Sequence, residues 1–257
     1  MLTLYFSGTG NSKYIARLFS RAVGARCTSI EADSDFEWAM NRYDTMAFCY
    51  PVYGSRVPRI MREFVAEHMD KLKGKKIIIF ATQMMFSGDG ARAFADLFKP
   101  GWVEIIYAEH FNMPNNICNT PMLRPPGRRK VLEYRRKAKV KMKRVCSDIS
   151  RGIVRKRGFS QVAKRLGGIQ GNAWPKIEER AKSDVRIHDD CIACNLCVKI
   201  CPMKNLVNED GVIKQLNNCT VCYRCVNRCP KQAITVFFHI RPKWQYKGMR
   251  EILREGK

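Results

Sequence analysis

The sequence predicts an α/β protein in which a doubly wound, parallel five-stranded sheet is followed by a small cysteine-rich domain. Three observations predict it. Over the first 120 residues short apolar runs alternate with amphipathic stretches, as in a parallel sheet covered by helices. Each apolar run ends in a loop rich in Gly, Pro, Ser, Thr or Asn. Near the other end a cysteine-containing unit that starts at Cys191 is repeated 28 residues later, at Cys219.

Strands are predicted near residues 2–6, 26–30, 44–49, 76–81 and 103–109, with helices near 12–24, 56–70 and 89–98. The first strand, "MLTLYF", runs into "SGTGNSKYIA", after which Tyr14, Ile15, Leu18, Phe19 and Val23 recur at helical spacing. A strand, a small-residue turn and a helix N-terminus aim backbone N–H groups and the positive end of a helix dipole at one point. Ser7, Thr9, Asn11 and Ser12 add side-chain donors, which makes the loop a candidate phosphate cradle. It lacks the Lys of a P-loop and does not read G-x-G-x-x-G, which disfavours a nucleoside triphosphate or a nicotinamide dinucleotide. The alternative is a plain turn rich in capping residues. Three further loops, "YPVYGSRVP", "ATQMMFSGDG" and "EHFNMPNN", follow later strands and are expected to converge with the first at the carboxyl edge of the sheet.

After "RPPG", Val131, Tyr134, Ala138, Met142, Val145, Ile149 and Ile153 recur at spacings of three and four, one apolar stripe on a long helix whose other faces are basic. The formal charge is +24, and residues 124–165 contribute 17 Lys/Arg against Glu133 and Asp148. The helix reads either as the last cover of the sheet with a solvated face or as a docking surface, and the two are compatible. The expected organisation is a first domain over 1–166, a Gly-containing linker over 167–182, the cysteine-rich domain over 183–240 and a basic tail over 241–257.

No window approaches 18 uncharged apolar residues, and the N-terminal apolar stretch stops at Phe6, so a cytoplasmic protein is expected. Twelve cysteines in such a chain point to metal ligation or redox chemistry rather than disulfides. Each repeat reads C-x2-C-x2-C-x3-C-P, the spacing of two-cluster iron–sulfur proteins in which the fourth cysteine ligates the other cluster. This assigns Cys191, Cys194, Cys197 and Cys229 to one [4Fe–4S] cluster and Cys219, Cys222, Cys225 and Cys201 to a second. Zinc ribbons use paired C-x2-C elements at long separation, a different pattern. Cys27, Cys49, Cys118 and Cys146 are scattered and read as small buried residues.

With these motifs in view, the second half resembles the two-[4Fe–4S] bacterial ferredoxins, and the first half resembles flavodoxins. The flavodoxin loop T-G-N-T-x-x-x-A is matched by Thr9, Gly10, Asn11, Ser12 and Ala16, and "YDTMAFCYPVYGSRVP" is similar to the flavodoxin third strand and flavin loop. Together the halves resemble flavodoxin–ferredoxin fusion proteins of anaerobic microbes. The resemblance implies a flavodoxin-like sheet, an α+β ferredoxin domain, and FMN as the ligand of the cradle. It implies that Ser7, Gly8, Thr9, Gly10, Asn11 and Ser12 bind the phosphate. Pro51, Val52, Tyr53, Gly54, Thr82, Gln83, Phe86, Gly88 and Asp89 would then border the isoalloxazine. Tyr53 and Phe86 are the stacking candidates, with ordinary packing as the alternative. Asp89 is expected to cap the following helix in preference to bonding the flavin.

The implied function is an electron carrier linking FMN and two clusters to a protein redox partner, with no catalytic acid or base. Relatives of both halves are typically acidic, so the basic surface points to an acidic partner. Two other readings stay open: an FMN-dependent reductase of a small substrate, fed by the clusters, and binding of nucleic acid or anionic lipid through the basic helix.

Overall fold

A strand covered on both faces must be apolar along its whole length, and Leu2, Leu4, Phe48, Tyr50, Ile77 and Ile79 are fully buried in the sheet this predicts. In the computed structural model, which describes residues 1–120 and 122–249, contacts divide the chain into two units. The first comprises Met1–Ser7, Asn11–Met113 and Glu133–Trp174, and the second Gly8–Gly10, Pro114–Leu132 and Pro175–Lys257.

The first unit is built on β1 (Leu2–Tyr5), β2 (Arg26–Ser29), β3 (Thr45–Pro51), β4 (Lys76–Gln83), β5 (Glu104–Asn112) and β6 (Arg155–Lys156), paired in parallel in the order β2-β1-β3-β4-β5-β6. The sheet therefore has six strands where five were expected. The sixth exists because the basic helix, α6 (Arg128–Ser150), stops short of Ile153. Gly152 takes φ +69 there, a left-handed turn that glycine adopts without strain, and returns the chain to the sheet edge.

Other helices are α1 (Asn11–Val23), α2 (Phe36–Asn41), α3 (Arg59–Glu67), α4 (Met69–Leu72), α5 (Arg92–Ala95), α7 (Gln161–Gly171) and α8 (Trp174–Ala181). Pro58 delays the start of α3, and the helix ends at His68, which leaves helical geometry at φ -109 and ψ 20 and stacks its ring on Phe64 at 4.5 Å. α2 was not anticipated, although Asp35 gives it an N-cap: Trp38 N donates to Asp35 Oδ1 at 2.8 Å. Ser160 caps α7 in the same way, accepting from Ala163 N at 3.1 Å. The stretch 167–182, read as a linker for its glycines, is thus largely helical.

Two buried carboxylates anchor the positive surface. Glu109 on β5 is 1% exposed and meets Arg144 Nη2 at 2.6 Å, with Lys141 Nζ and Arg157 Nε each at 3.5 Å. Asp148 on α6 accepts from Tyr107 Oη at 2.8 Å and Arg155 Nε at 3.2 Å. The Tyr107 hydrogen bond, then the Arg155 charge, hold the Asp148 carboxyl below the usual carboxylate range. Several of the 17 cations are therefore spent on tertiary structure.

The second unit holds α9 (Leu196–Ile200), α10 (Arg224–Arg228) and two antiparallel pairs. These are β7 (Arg186–Ile187) with β10 (Ile234–Thr235) and β8 (Leu206–Glu209) with β9 (Val212–Gln215). Asp210 and Gly211, at φ +50 and +83, form the tight turn between β8 and β9. Val185, Leu206, Val221, Val226, Ala233 and Ile234 form its buried core. Of the basic tail expected over 241–257, residues 250–257 lie outside the described residues.

His110 makes the stability of the first unit pH-dependent. Its Nε2 accepts from Ala91 N at 3.1 Å, and burial, then the charges of Arg157 and Lys141, lower its pKa from 6.5 to about 4. Below pH 6.5 the unfolded chain takes up a proton that the folded one refuses, so this group's contribution falls as pH falls towards 4. Melting temperature measured across that window is expected to fall more steeply for the wild type than for His110→Gln; equal slopes would contradict the assignment.

Candidate cofactor sites

Strand order reverses between β2-β1 and β1-β3, and in an open α/β sheet the crevice at that reversal receives ligands. The loop after β1 leads there and on into α1. Gly10 takes φ +101, which a side chain would oppose. α1 carries no acidic residue in its first turn, so nothing on the helix offsets the positive end of its dipole. That favours an anion such as a phosphate. Ser7, Gly8 and Ser12 are buried, and Thr9, Gly10 and Asn11 are partly exposed. The Ser12 hydroxyl lies 2.7 Å from Thr82 Oγ1, tying the helix start to the end of β4. Thr82 Oγ1 in turn donates to the Tyr50 carbonyl at 3.3 Å.

The loops after β3 and β4 lie side by side, with Val52 N donating to Thr82 O at 2.9 Å. Tyr53 and Arg56 exchange backbone hydrogen bonds at 3.0 and 2.9 Å around Gly54 and Ser55, both with positive φ. In the second loop Ser87 Oγ donates to Gln83 Oε1, and Gln83 Nε2 donates to Met85 O at 3.1 Å. Phe86 is 56% exposed, whereas Tyr53 is half-buried and packs with its ring centroid 6.3 Å from Trp174. Pro51 and Gly54 are likewise half-buried, and Gly88 is buried.

Asp89 does not cap α5, whose N-terminus has no side-chain cap. Its carboxylate faces Arg56 Nη1 at 3.5 Å, because the loop turns it towards β3 instead of along the helix. Burial raises its pKa and the Arg56 charge opposes that rise. Sequence reasoning passed over Arg56, His110 and Trp174. Of these Arg56 and His110 lay inside stretches already singled out, "YPVYGSRVP" and "EHFNMPNN".

In the second unit the eight motif cysteines sort into two cavities. One is lined by Cys191, Cys194, Cys197 and Cys229 together with apolar Ile192, Leu196, Ile213 and Ile234. The other is lined by Cys201, Cys219, Cys222 and Cys225 with Val185, Leu206, Val221 and Val226. Each cavity combines three cysteines of one repeat with the fourth of the other. The backbone repeats with the sequence: Ala193, Asn195 and Lys204 have positive φ, and so do Val221, Tyr223 and Gln232, each 28 residues on. α9 and α10 start after the second member of each set and stop at the Cys-Pro pairs, where Cys201 and Cys229 turn extended at ψ 116 and 119.

Backbone N–H groups reach the sulfurs at repeated positions. Asn205 N donates to Cys201 Sγ at 3.2 Å and Ala233 N to Cys229 Sγ at 3.3 Å, with Val221 N donating to Cys219 Sγ at 3.3 Å. Burial pushes the Cys197 thiol up to about 11 and Cys222 to about 12, and Cys225 well above its ordinary value, with neighbouring cysteines adding to each rise. Such thiols stay protonated near neutral pH, and a bound multivalent cation would replace their protons. The donor set, soft sulfurs around apolar cavities, suits iron–sulfur clusters. Of the other cysteines, Cys49 and Cys118 are buried and Cys27 and Cys146 are partly buried.

Residues 2–124 match a family described as Flavodoxin domain, and residues 190–234 match one described as 4Fe-4S dicluster domain. Among solved structures, the chain is 24% identical to a two-electron reduced flavodoxin from Megasphaera elsdenii (43% of this chain, 85% of that one, TM-score 0.38). A flavodoxin from the domain Archaea is 16% identical (59% and 96%, TM-score 0.41). Oxidised Flavodoxin 2 from Bacillus cereus is 17% identical (43% and 84%, TM-score 0.36). No curated protein matches the chain. Among the described residues no helix is long and apolar enough to cross a membrane. A flavodoxin domain implies FMN, and the dicluster domain with its cysteines supports [4Fe–4S] clusters; the two domains support a role in electron transfer. The chain therefore joins a flavodoxin domain over residues 2–124 to a 4Fe-4S dicluster domain over 190–234, which matches the arrangement of the flavodoxin–ferredoxin fusions.

Proposed function

We propose that this protein is an electron carrier that relays electrons between a protein redox partner, two [4Fe–4S] clusters and FMN. The observation that carries the reading is the sorting of eight cysteines into two apolar cavities, each completed by a cysteine of the other repeat. FMN supplies two electrons one at a time and each cluster supplies one, so a chain holding both can couple two-electron to one-electron chemistry. The residues from Ser7 to Ser12 would hold the phosphate. Pro51 to Gly54, with Thr82, Gln83, Phe86, Gly88 and Asp89, would border the ring.

The chain's own residues tune and insulate rather than catalyse. N–H groups of Asn205, Val221 and Ala233 stabilise charge on the sulfurs they face. Apolar side chains line both cavities, although Cys194 is exposed; the more of the cluster they cover, the more the less charged state is favoured. Most of the cations not consumed by Glu109 and Asp148, among them Arg128, Arg129, Arg136, Lys139 and Lys143, are exposed. Such a field steers an acidic protein partner. The reading places the protein in the cytoplasm, where thiols stay reduced until metal takes them.

Cys201→Ser is expected to lower iron from about eight to about four atoms per chain, sparing the cluster assigned to Cys191, Cys194, Cys197 and Cys229. Iron analysis with low-temperature paramagnetic resonance checks this, and loss of both signals in an otherwise folded chain would contradict separate cavities. Electrons from a reduced acidic ferredoxin, used as probe, are expected to reach FMN at least about tenfold more slowly when salt rises from low to molar ionic strength. Stopped-flow absorbance reads that rate. A Cys201→Ser/Cys229→Ser variant, lacking a ligand in each cavity, should lose the transfer while FMN still accepts electrons from dithionite. Undiminished transfer would show that the clusters are not in the path.

A further inference from the structure

α7 is a helix built inside out. Val162, Leu166 and Ile169 lie on its exposed side, at 66%, 42% and 75% exposure, while Ala163, Gly167 and Gly171, spaced four apart on one face, turn inward. Glycine disfavours helix, and this helix of 11 residues contains Gly167, Gly168 and Gly171. Burial of its large apolar residues does not hold it. What it buries is bare backbone against the two loops assigned to the flavin ring.

The contacts are close on both sides. A side chain at Gly88 would lie 2.6 Å from Gly167 Cα and 2.8 Å from the Ala163 carbonyl oxygen. One at Gly167 would overlap the Asp89 carboxylate, and one at Gly171 the Arg56 guanidinium. Arg56 Nη2 donates to Asn172 Oδ1 at 3.4 Å and Ser55 Oγ donates to Gln170 Oε1 at 3.3 Å. Just beyond, the Trp174 indole stands over Gly54, where a side chain would lie 2.6 Å from its Cδ2.

From this geometry we propose that α7 and Trp174 form a third wall of the flavin ring site, one that fixes the separation of the loops around Gly54 and Gly88 and places an indole beside the ring. The proposal rests on the reading of those loops as the FMN site. Gly167 and Gly171 are positioning residues, acting through Asp89 and Arg56. Trp174 is the wall's aromatic face, a role the sequence reading gave to Tyr53 or Phe86.

The test uses full-length, cluster-loaded protein stripped of FMN and titrated with it, read by affinity, by emission of the bound flavin and by visible circular dichroism. Gly167→Val is expected to weaken FMN binding by about tenfold or more, because overpacking drives the loops apart. Trp174→Leu is expected to raise the emission of bound FMN several-fold and alter its visible dichroism, with Trp174→Phe restoring both in part. Ile169→Ser, on the exposed face, should match the wild type. Should Gly167→Val fail to fold, the Trp174 spectra decide alone. Wild-type affinity, emission and dichroism in both the Gly167 and Trp174 variants would overturn the wall. A wild-type chain that takes up no FMN would instead overturn the functional reading, and the wall with it.

Discussion

Burial and mutual repulsion keep a thiol protonated, and three of the eight motif cysteines suffer both at once. Cys197, Cys222 and Cys225 are pushed upward chiefly by burial and further by their neighbours. The motif cysteines would hold a multivalent inorganic core that takes the place of these protons, and its binding energy would become folding energy for the small unit around it. The antiparallel pairs of that unit are only two and four residues long, too little sheet to stand unaided. Its positive-φ residues, repeated at 28-residue offset, bend the backbone in the same way in both cysteine repeats.

On the proposed reading the first unit faces a different problem, holding an anionic ligand at the edge of a sheet. The reversal of strand order opens the crevice, and the N-terminus of α1, free of acidic residues, favours an anion there. The basic surface serves two ends. Glu109 and Asp148 draw a subset of the cations inward to lock α6 and β6 to β5. Most of the rest stay exposed and give the protein a positive surface.

Legibility in the sequence followed the range of the interactions. The first five strands were readable because each is a local apolar run, and the cysteine cavities because ligand spacing is itself local. β6 was not readable: Arg155–Lys156 is neither apolar nor β-branched, and its pairing depends on distant Tyr107 and Asp148. α7 was hidden by its glycines, which signal a linker to any local rule and acquire their meaning only from Gly88, Asp89 and Arg56 across space. The expected cap at Asp89 failed for the same reason, since a partner on another loop outcompeted the helix next to it.

Everything functional depends on whether the eight motif cysteines build two four-iron cores in a chain that also holds a flavin. Iron, sulfide and flavin analysis of protein purified without oxygen, joined to paramagnetic resonance of the reduced form, tests that most directly. The account predicts about eight iron, about eight sulfide and one FMN per chain, with signals of two neighbouring reduced clusters. Two zinc ions per chain, with neither sulfide nor flavin, would contradict it.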